Sequence, residues 1–335
     1  MPNNLQDILL EIKNHLTNNQ EDNIKYLYSL KGKYNDHPQA KEIYKQIGLL
    51  MVENANQDVV VELNHTFHQD FDQQMIAALK VLETGDLIKT ENMLLDTLEF
   101  FQKLFPDYSS QSYYAPNNPI EYQIIHDMLK EDYFKTIQFN FSDAYLYLGS
   151  INIDKQDIEK ARRYMQEGLN LNPCNQELIF EYIETYRIEN DLETFKDLTM
   201  KAFDKLYSPQ GISRYFRNLG FYYIEAKKFD LAKDLFIHSM MFERNNAAIN
   251  ELIYIEQTTH DANLPKGHDI VNAIDNEFIP LNVSKHIWNI IKDIRLELQN
   301  VNIDHGFVDF VQQLDEFYDR VNQLTQVHIH RSKLS

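Results

Sequence analysis

The chain has 335 residues, with 32 Lys plus Arg against 51 Asp plus Glu, so its formal charge is −19. Such an excess repels a polyanion whose affinity comes from phosphate neutralisation, which argues against nucleic acid as a partner. The single cysteine, Cys174, excludes an internal disulfide framework and fits a reducing compartment.

No stretch approaches about 18 uncharged apolar residues, and the N-terminal segment lacks a basic start followed by an apolar run. The expectation is a cytoplasmic chain with no membrane partner. Gly and Pro number only nine each, and the prolines fall in polar joints (Pro2, Pro38, Pro106, Pro116, Pro119, Pro173, Pro209, Pro265, Pro280) where a missing N–H harms no helix. No Val, Ile or Thr run alternates with polar residues long enough to make a strand. The expected fold class is all-α.

Three helical stripes open the chain: Leu5, Ile8, Leu9, Ile12 and Leu16, then Ile24, Leu27, Tyr28 and Leu30, then Ile43, Tyr44, Ile47, Leu50 and Met51 behind Pro38. They predict an N-terminal helical cap over 1–70. Residues 71–104 read as a helix-turn-helix unit, with Ala77-Ala78 and Val81 before a Gly85-Asp86 turn, then Leu87, Leu94 and Leu98.

Residues 105–141 interrupt the pattern, with a loop beginning FPDYSSQSYYAPNNP and a helix expected from Ile120 to Thr136. Long irregular loops in compact proteins are usually functional or disordered. Tyr108, Tyr113, Tyr114 and Tyr122 lie here, and Tyr113 and Tyr114 are candidate anchors for a ligand. The alternative is that they pack the interruption onto its neighbours.

Residues 142–246 contain three units. Ser142 to Asn175 carries Leu148-Gly149, Ala161, Met165, Gly168 and Pro173, and Ser213 to Asn246 reproduces the spacing with Leu219-Gly220, Ala232, Phe236 and Ser239. Between them, Gln176 to Pro209 keeps Tyr186, an Asn190-Asp191 turn, Leu192 and Ala202. In all four units an apolar residue (Leu87, Ile158, Leu192, Phe229) follows the turn directly. A glycine at 149 or 220 lets paired helices approach, with Ala161 or Ala232 as its small counterpart. Gly220→Leu should therefore overpack the pair, while Gly220→Ala should be mild, with reduced backbone entropy in its favour. This spacing resembles that of tetratricopeptide-repeat proteins. The resemblance implies a right-handed α-solenoid of helix-turn-helix units, with helical caps at both ends. The remaining chain, 247–335, begins with a helix like the first of an incomplete unit. A loop follows from Thr258, a further helix from about Ile270, and a final pair around Ile287–Leu298 and Phe307–Val321.

Chemistry-bearing clusters are sparse. His65 and His68, with Asp70 near, lack a third ligand set at metal spacing. Cys174 has no adjacent base, and His328 and His330 lie in the last few residues. No phosphate loop or nucleophile elbow occurs, so no enzyme, cofactor or metal is expected. Surfaces remain. In the family resembled, the first helices of successive units line a concave groove that holds a peptide. The matching positions here are Tyr147, Phe180, Glu181, Glu184, Arg214, Arg217, Asn218 and Phe221, of which Arg214 and Arg217 could instead be spent on ion pairs with Glu181 and Glu184. The family's clamp for a chaperone's C-terminal carboxylate is not matched, because Leu146, Ser150, Glu181 and Asn218 occupy its positions. The expected function is a non-enzymatic scaffold binding another protein or a peptide. The alternative is a peptide-sensing regulator related to quorum-sensing receptors but without a DNA-binding domain, since residues 1–70 carry six basic against ten acidic side chains.

Overall fold

A computed structural model describes residues 4–30, 32–54, 57–103, 105, 108–110, 112–130, 133–298 and 305–332. Within them the chain is all-helical, with sixteen α-helices, and a lone Tyr114–Thr136 bridge is the only β-type pairing among the described residues. No helix is long and apolar enough to cross a membrane among the described residues. The chain divides into two units, Met1–Tyr113 and Tyr114–Ser335.

The first unit contains α1 (Leu5–Asn14), α2 (Gln20–Ser29), α3 (Ala40–Asn54), α4 (Gln57–Leu82) and α5 (Leu87–Gln102). Asn4 caps α1 by accepting the Asp7 N–H at 2.8 Å. The apolar stripes of α1 and α2 close on α3, burying Ile8, Ile12, Ile24, Leu27, Ile43, Tyr44 and Ile47. α4 packs on α5 through the turn at Gly85, whose φ of 83° suits glycine, and Asp86 caps α5. α4 is one continuous helix across residue 70, so the expected end of the cap falls inside a helix.

The second unit begins with α6 (Pro119–Leu129), which stops seven residues before the expected Thr136 because Lys130 turns left-handed at φ 56°. There follow α7 (Phe141–Asp154), α8 (Ile158–Leu171), α9 (Gln176–Ile188), α10 (Leu192–Ala202), a 3-10 turn (Phe203–Lys205), α11 (Pro209–Glu225) and α12 (Phe229–Ser239). The last four are α13 (Asn246–Thr259), α14 (Gly267–Asn276), α15 (Lys285–Leu298) and α16 (His305–Ser332). Neighbours pair, α7 with α8, α9 with α10 and α11 with α12, and each pair also touches the next.

The three pairs turn in the same way. Gln156, Asn190 and Lys227 are left-handed, with φ of 62°, 59° and 58°. The N–H of the next residue (Asp157, Asp191, Lys228) then donates back to the carbonyl of Asn152, Tyr186 or Tyr223 at 2.9, 2.9 and 2.8 Å. This closes the C-terminus of the first helix and reverses the chain. Asp157 and Asp191 go on to cap α8 and α10. Lys228 offers no acceptor and leaves α12 without a side-chain cap.

The glycines sit where each pair of helices approaches closely, as expected, but the residue facing them is the large one rather than the alanine. A Cβ on Gly149 would meet Met165 Cε and Cγ at 2.6 Å, and one on Gly220 would meet the Phe236 ring at 2.8 Å. The large residue one turn beyond Ala161 or Ala232 thus lies over the glycine, in the same register in both pairs.

One turn is costly. Phe278 ends α14 at φ 58° with its ring 91% exposed, a conformation that glycine adopts freely. Phe278→Gly should therefore raise stability by roughly 0.5–1 kcal/mol in a denaturant titration. A loss of that size would mean that the ring makes contacts the fold needs.

Candidate functional site

Glu177, Phe180, Glu181 and Glu184 recur at helical spacing along one face of α9, as do Arg214, Arg217, Asn218 and Phe221 along α11. Two adjoining clefts form between these stripes. The first, of about 550 Å³, is lined by Asp143 of α7, Glu177 and Phe180 of α9, and Arg214 and Arg217 of α11. Glu121 of α6, Tyr207, Glu243 and Phe310 of α16 complete it. The second, of about 360 Å³, shares Arg214 and Arg217 and adds Glu181, Glu184, Arg187, Asn218, Phe221 and Glu251.

Every arginine in these walls is already paired. Arg214 donates to Glu181 at 2.9 Å and covers the Phe180 ring at 5.1 Å. Arg187 donates to Glu184 through Nε at 2.7 Å and covers Phe221 at 4.8 Å. Arg217 donates to Glu243 at 3.3 Å and to Ser213 Oγ at 2.7 Å. Burial pulls the Arg217 guanidinium below the usual arginine value, and Glu243 opposes the shift. The anticipated Arg214–Glu181 pair forms, whereas Arg217 turns to Glu243, and Glu184 is taken by Arg187 on its own helix.

Glu121, Asp143 and Glu177 have no cationic partner among the described residues. Burial pushes the Asp143 carboxyl above the ordinary aspartate value, Asn175 and Asn140 oppose this, and the Glu177 charge adds to it. Burial likewise raises Glu121, against the donors Asn117, Asn172 and Tyr207. In the second cleft burial raises Glu251, which Arg187 lowers and Glu225 raises. Asn218 presents a buried Nδ2 with no hydrogen-bond partner among the described residues. The first cleft therefore has four acidic against two basic linings and a surplus of acceptors.

Seven of the eight groove residues expected from the sequence line these clefts. Tyr147 lies outside both, half-buried, its phenol pushed up by burial and then by the charges of Asp143 and Glu177. Phe180 is 2% exposed, so its ring is core beneath Arg214 rather than an open anchor. In the first unit Tyr113 is buried against Phe105 and Tyr108. Tyr114 is half-buried and meets Phe134 edge-on, with its backbone bonded to Lys135 and Ile137. Both rings are spent on packing.

Sequence reasoning missed Glu121, Tyr207, Glu243 and Phe310. Asn118-Pro119 followed by Glu121 is a helix-start signature, and it could have placed that carboxyl in a first turn. Nothing local marks Phe310, which reaches the cleft from a helix far along the chain.

No three potential ligands come together as a metal site among the described residues. The side chains of His65, His328 and His330 lie outside the described residues. Cys174 is fully buried, and burial, with the Glu121 charge adding, pushes its thiol up to about 12. An aromatic disulfide reagent should therefore leave the native chain unmodified and titrate one thiol per chain after denaturation. Rapid native labelling would contradict this placement. Comparison with models of known protein families and with curated proteins finds no match.

Proposed function

We propose that this chain is a non-enzymatic helical scaffold of tetratricopeptide type, a right-handed solenoid working in the cytoplasm, and that its two clefts hold an extended segment of another protein. The repeated turn at Gln156, Asn190 and Lys227 and the matched packing over Gly149 and Gly220 support the architecture. The observation that carries the binding reading is the state of the charges. All three arginines are neutralised within the walls, while Asp143 and Glu177 have no cationic partner among the described residues, in a cleft large enough for a side chain. A basic or neutral segment is favoured over an acidic one. Asn218 Nδ2 supplies an unmet donor for a backbone carbonyl, and Phe221 supplies apolar area once Arg187 swings aside.

Selection from a randomised peptide library on the purified chain tests this. The retained peptides should be enriched in Lys and Arg, bind more weakly as salt rises, and lose roughly 1–3 kcal/mol of affinity on Phe221→Ala. Enrichment of acidic peptides, or equal binding to Phe221→Ala, would remove the groove from consideration.

A further inference from the structure

Three helix pairs of the second unit cover their first helix with a second, and α13 lacks such a cover. α8 lies on α7, α10 on α9 and α12 on α11, whereas the chain leaves α13 through a loop at 260–266, and α14 packs on α12 and α16. α13 buries only Ala248 and Ile255 of its fourteen residues, while Ile249, Ile253 and Tyr254 stand 44%, 46% and 50% exposed. The spacing that sets Ala161 against Ala232 sets Leu178 and Ile183 of α9 against Ile249 and Tyr254. On α11 the equivalents are Tyr215 and Gly220, with Leu219 matching Ile253, and all five of these residues are buried. Leu178 abuts Gly168 of α8, and Gly220 lies under Phe236 of α12. Positions that the earlier pairs seal away are thus apolar and open on α13.

Helical spacing joins Asn246, Ile249, Asn250, Ile253, Tyr254 and Gln257 into one continuous face. All six are exposed, and none is charged. Glu256 borders this face on one edge and Glu251 on the other. Arg187 lies near Glu251 but is paired with Glu184, and α13 itself carries no Lys or Arg. Arg244, the nearest basic residue along the chain, precedes the helix at its N-terminal end. A second copy laid on this face in either direction would set one acidic edge against another, between chains that each carry −19. A foreign helix with basic borders meets no such repulsion.

We propose that the open face of α13 receives an amphipathic helix of another protein, its apolar strip seated on Ile249, Ile253 and Tyr254 and its Lys or Arg residues set along both borders against Glu251 and Glu256. Such a helix covers α13 as a second helix covers the first in the pairs before it. Because Arg244 stands at the N-terminal end, the partner's cations belong over the middle and C-terminal turns of α13. Of these residues only Glu251 also lines a cleft, so the docking does not depend on what the groove between α9 and α11 holds.

Fluorescence anisotropy of the full chain tests this with three labelled peptides of about 18 residues: a leucine–lysine amphipathic helix, a scrambled peptide of the same composition, and a leucine–glutamate helix. The leucine–lysine helix should bind best and weaken as salt rises. Ile249→Gln with Ile253→Gln, exposed positions where glutamine suits a helix, should lower its affinity by about tenfold or more, and Glu256→Gln should lower it less. Sedimentation velocity of the chain alone should show a monomer. Equal binding of the scrambled or leucine–glutamate peptide would overturn the proposal, as would no binding of the leucine–lysine helix up to about 1 mM. Affinity lost in Phe221→Ala but kept in the double glutamine variant would place the peptide in the groove instead. A dimer that Ile253→Gln dissolves would give the face to a second copy and equally overturn the assignment.

Discussion

Gly220→Leu should destabilise the chain by about 4 kcal/mol or more, and Gly220→Ala by about 1–3 kcal/mol. A Cβ at this position lies 2.8, 2.9 and 3.1 Å from three atoms of the Phe236 ring. That ring is 1% exposed and belongs to the main core of the second unit, so it has no space into which to retreat. The entropic gain of Gly→Ala, about 0.4–1 kcal/mol, is therefore overridden, contrary to what the sequence suggested. Gly149 gives the contrast. Its neighbour is Met165, whose unbranched side chain adapts more easily than a phenyl ring, so Gly149→Ala should cost less than Gly220→Ala. Shrinking the ring with Phe236→Leu should recover part of the Gly220→Ala loss in a double-mutant cycle. Additive effects within about 0.3 kcal/mol would mean that the two residues do not meet.

The second large effect is the response of α12 to acid. His238 is fully buried between Phe216 and Phe242, with ring centroids at 4.6 and 5.7 Å. Nε2 lies 2.9 Å from the Leu281 carbonyl, which fixes it as the donor in the neutral ring, and Nδ1 has no partner among the described residues. Burial pulls its pKa down to about 4, opposed by the Leu281 bond. With an unfolded value near 6.5, the stabilisation is present above 6.5 and is lost as pH falls through 4, amounting to about 3 kcal/mol. One turn earlier, Asp234 is raised to about 6 by burial and by the charges of Asp230 and Asp269, with Lys233 opposing. Its contribution runs the other way, present below the ordinary aspartate value and lost as pH rises through 6. The two oppose each other across the same mildly acidic range. His238→Gln keeps a donor for Leu281 and removes the titration. The difference in stability between wild type and this variant should shrink steadily as pH falls from about 6.5 to 4. Asp234→Asn should have the reverse slope against wild type. Parallel stability curves for wild type and His238→Gln would show that the histidine is not buried neutral.

The repeating part of the fold was legible because its signals are local. A small residue at 149 or 220, a large one sixteen places on, and an apolar residue after the turn each report a contact between helices adjacent in sequence. The stripe on α9 and α11 came from the resemblance to tetratricopeptide repeats, carried over position by position. What escaped depends on distant partners. Phe180 and Phe221 occupy equivalent faces, yet Phe180 is sealed into the core and Phe221 is only half-buried, a difference set by neighbouring helices. Arg217 could have reached Glu184, and only the fold brings Glu243 closer. Glu121 becomes significant only because Asn172, 51 residues away, and Tyr207, 86 residues away, close around it. The early end of α6 was hidden because Lys130 carries no turn signature of its own.

Photo-crosslinking with a peptide selected by the chain tests the groove most directly. A photoreactive residue is placed at Glu181 or Phe221 in the clefts, or at Arg163, exposed on α8. Crosslinks should form from positions 181 and 221, weaken with Asp143→Asn and Glu177→Gln when the peptide is basic, and be near background from 163. Strong crosslinking from 163 with none from 181 or 221 would place the partner on another face and contradict a binding groove between α9 and α11.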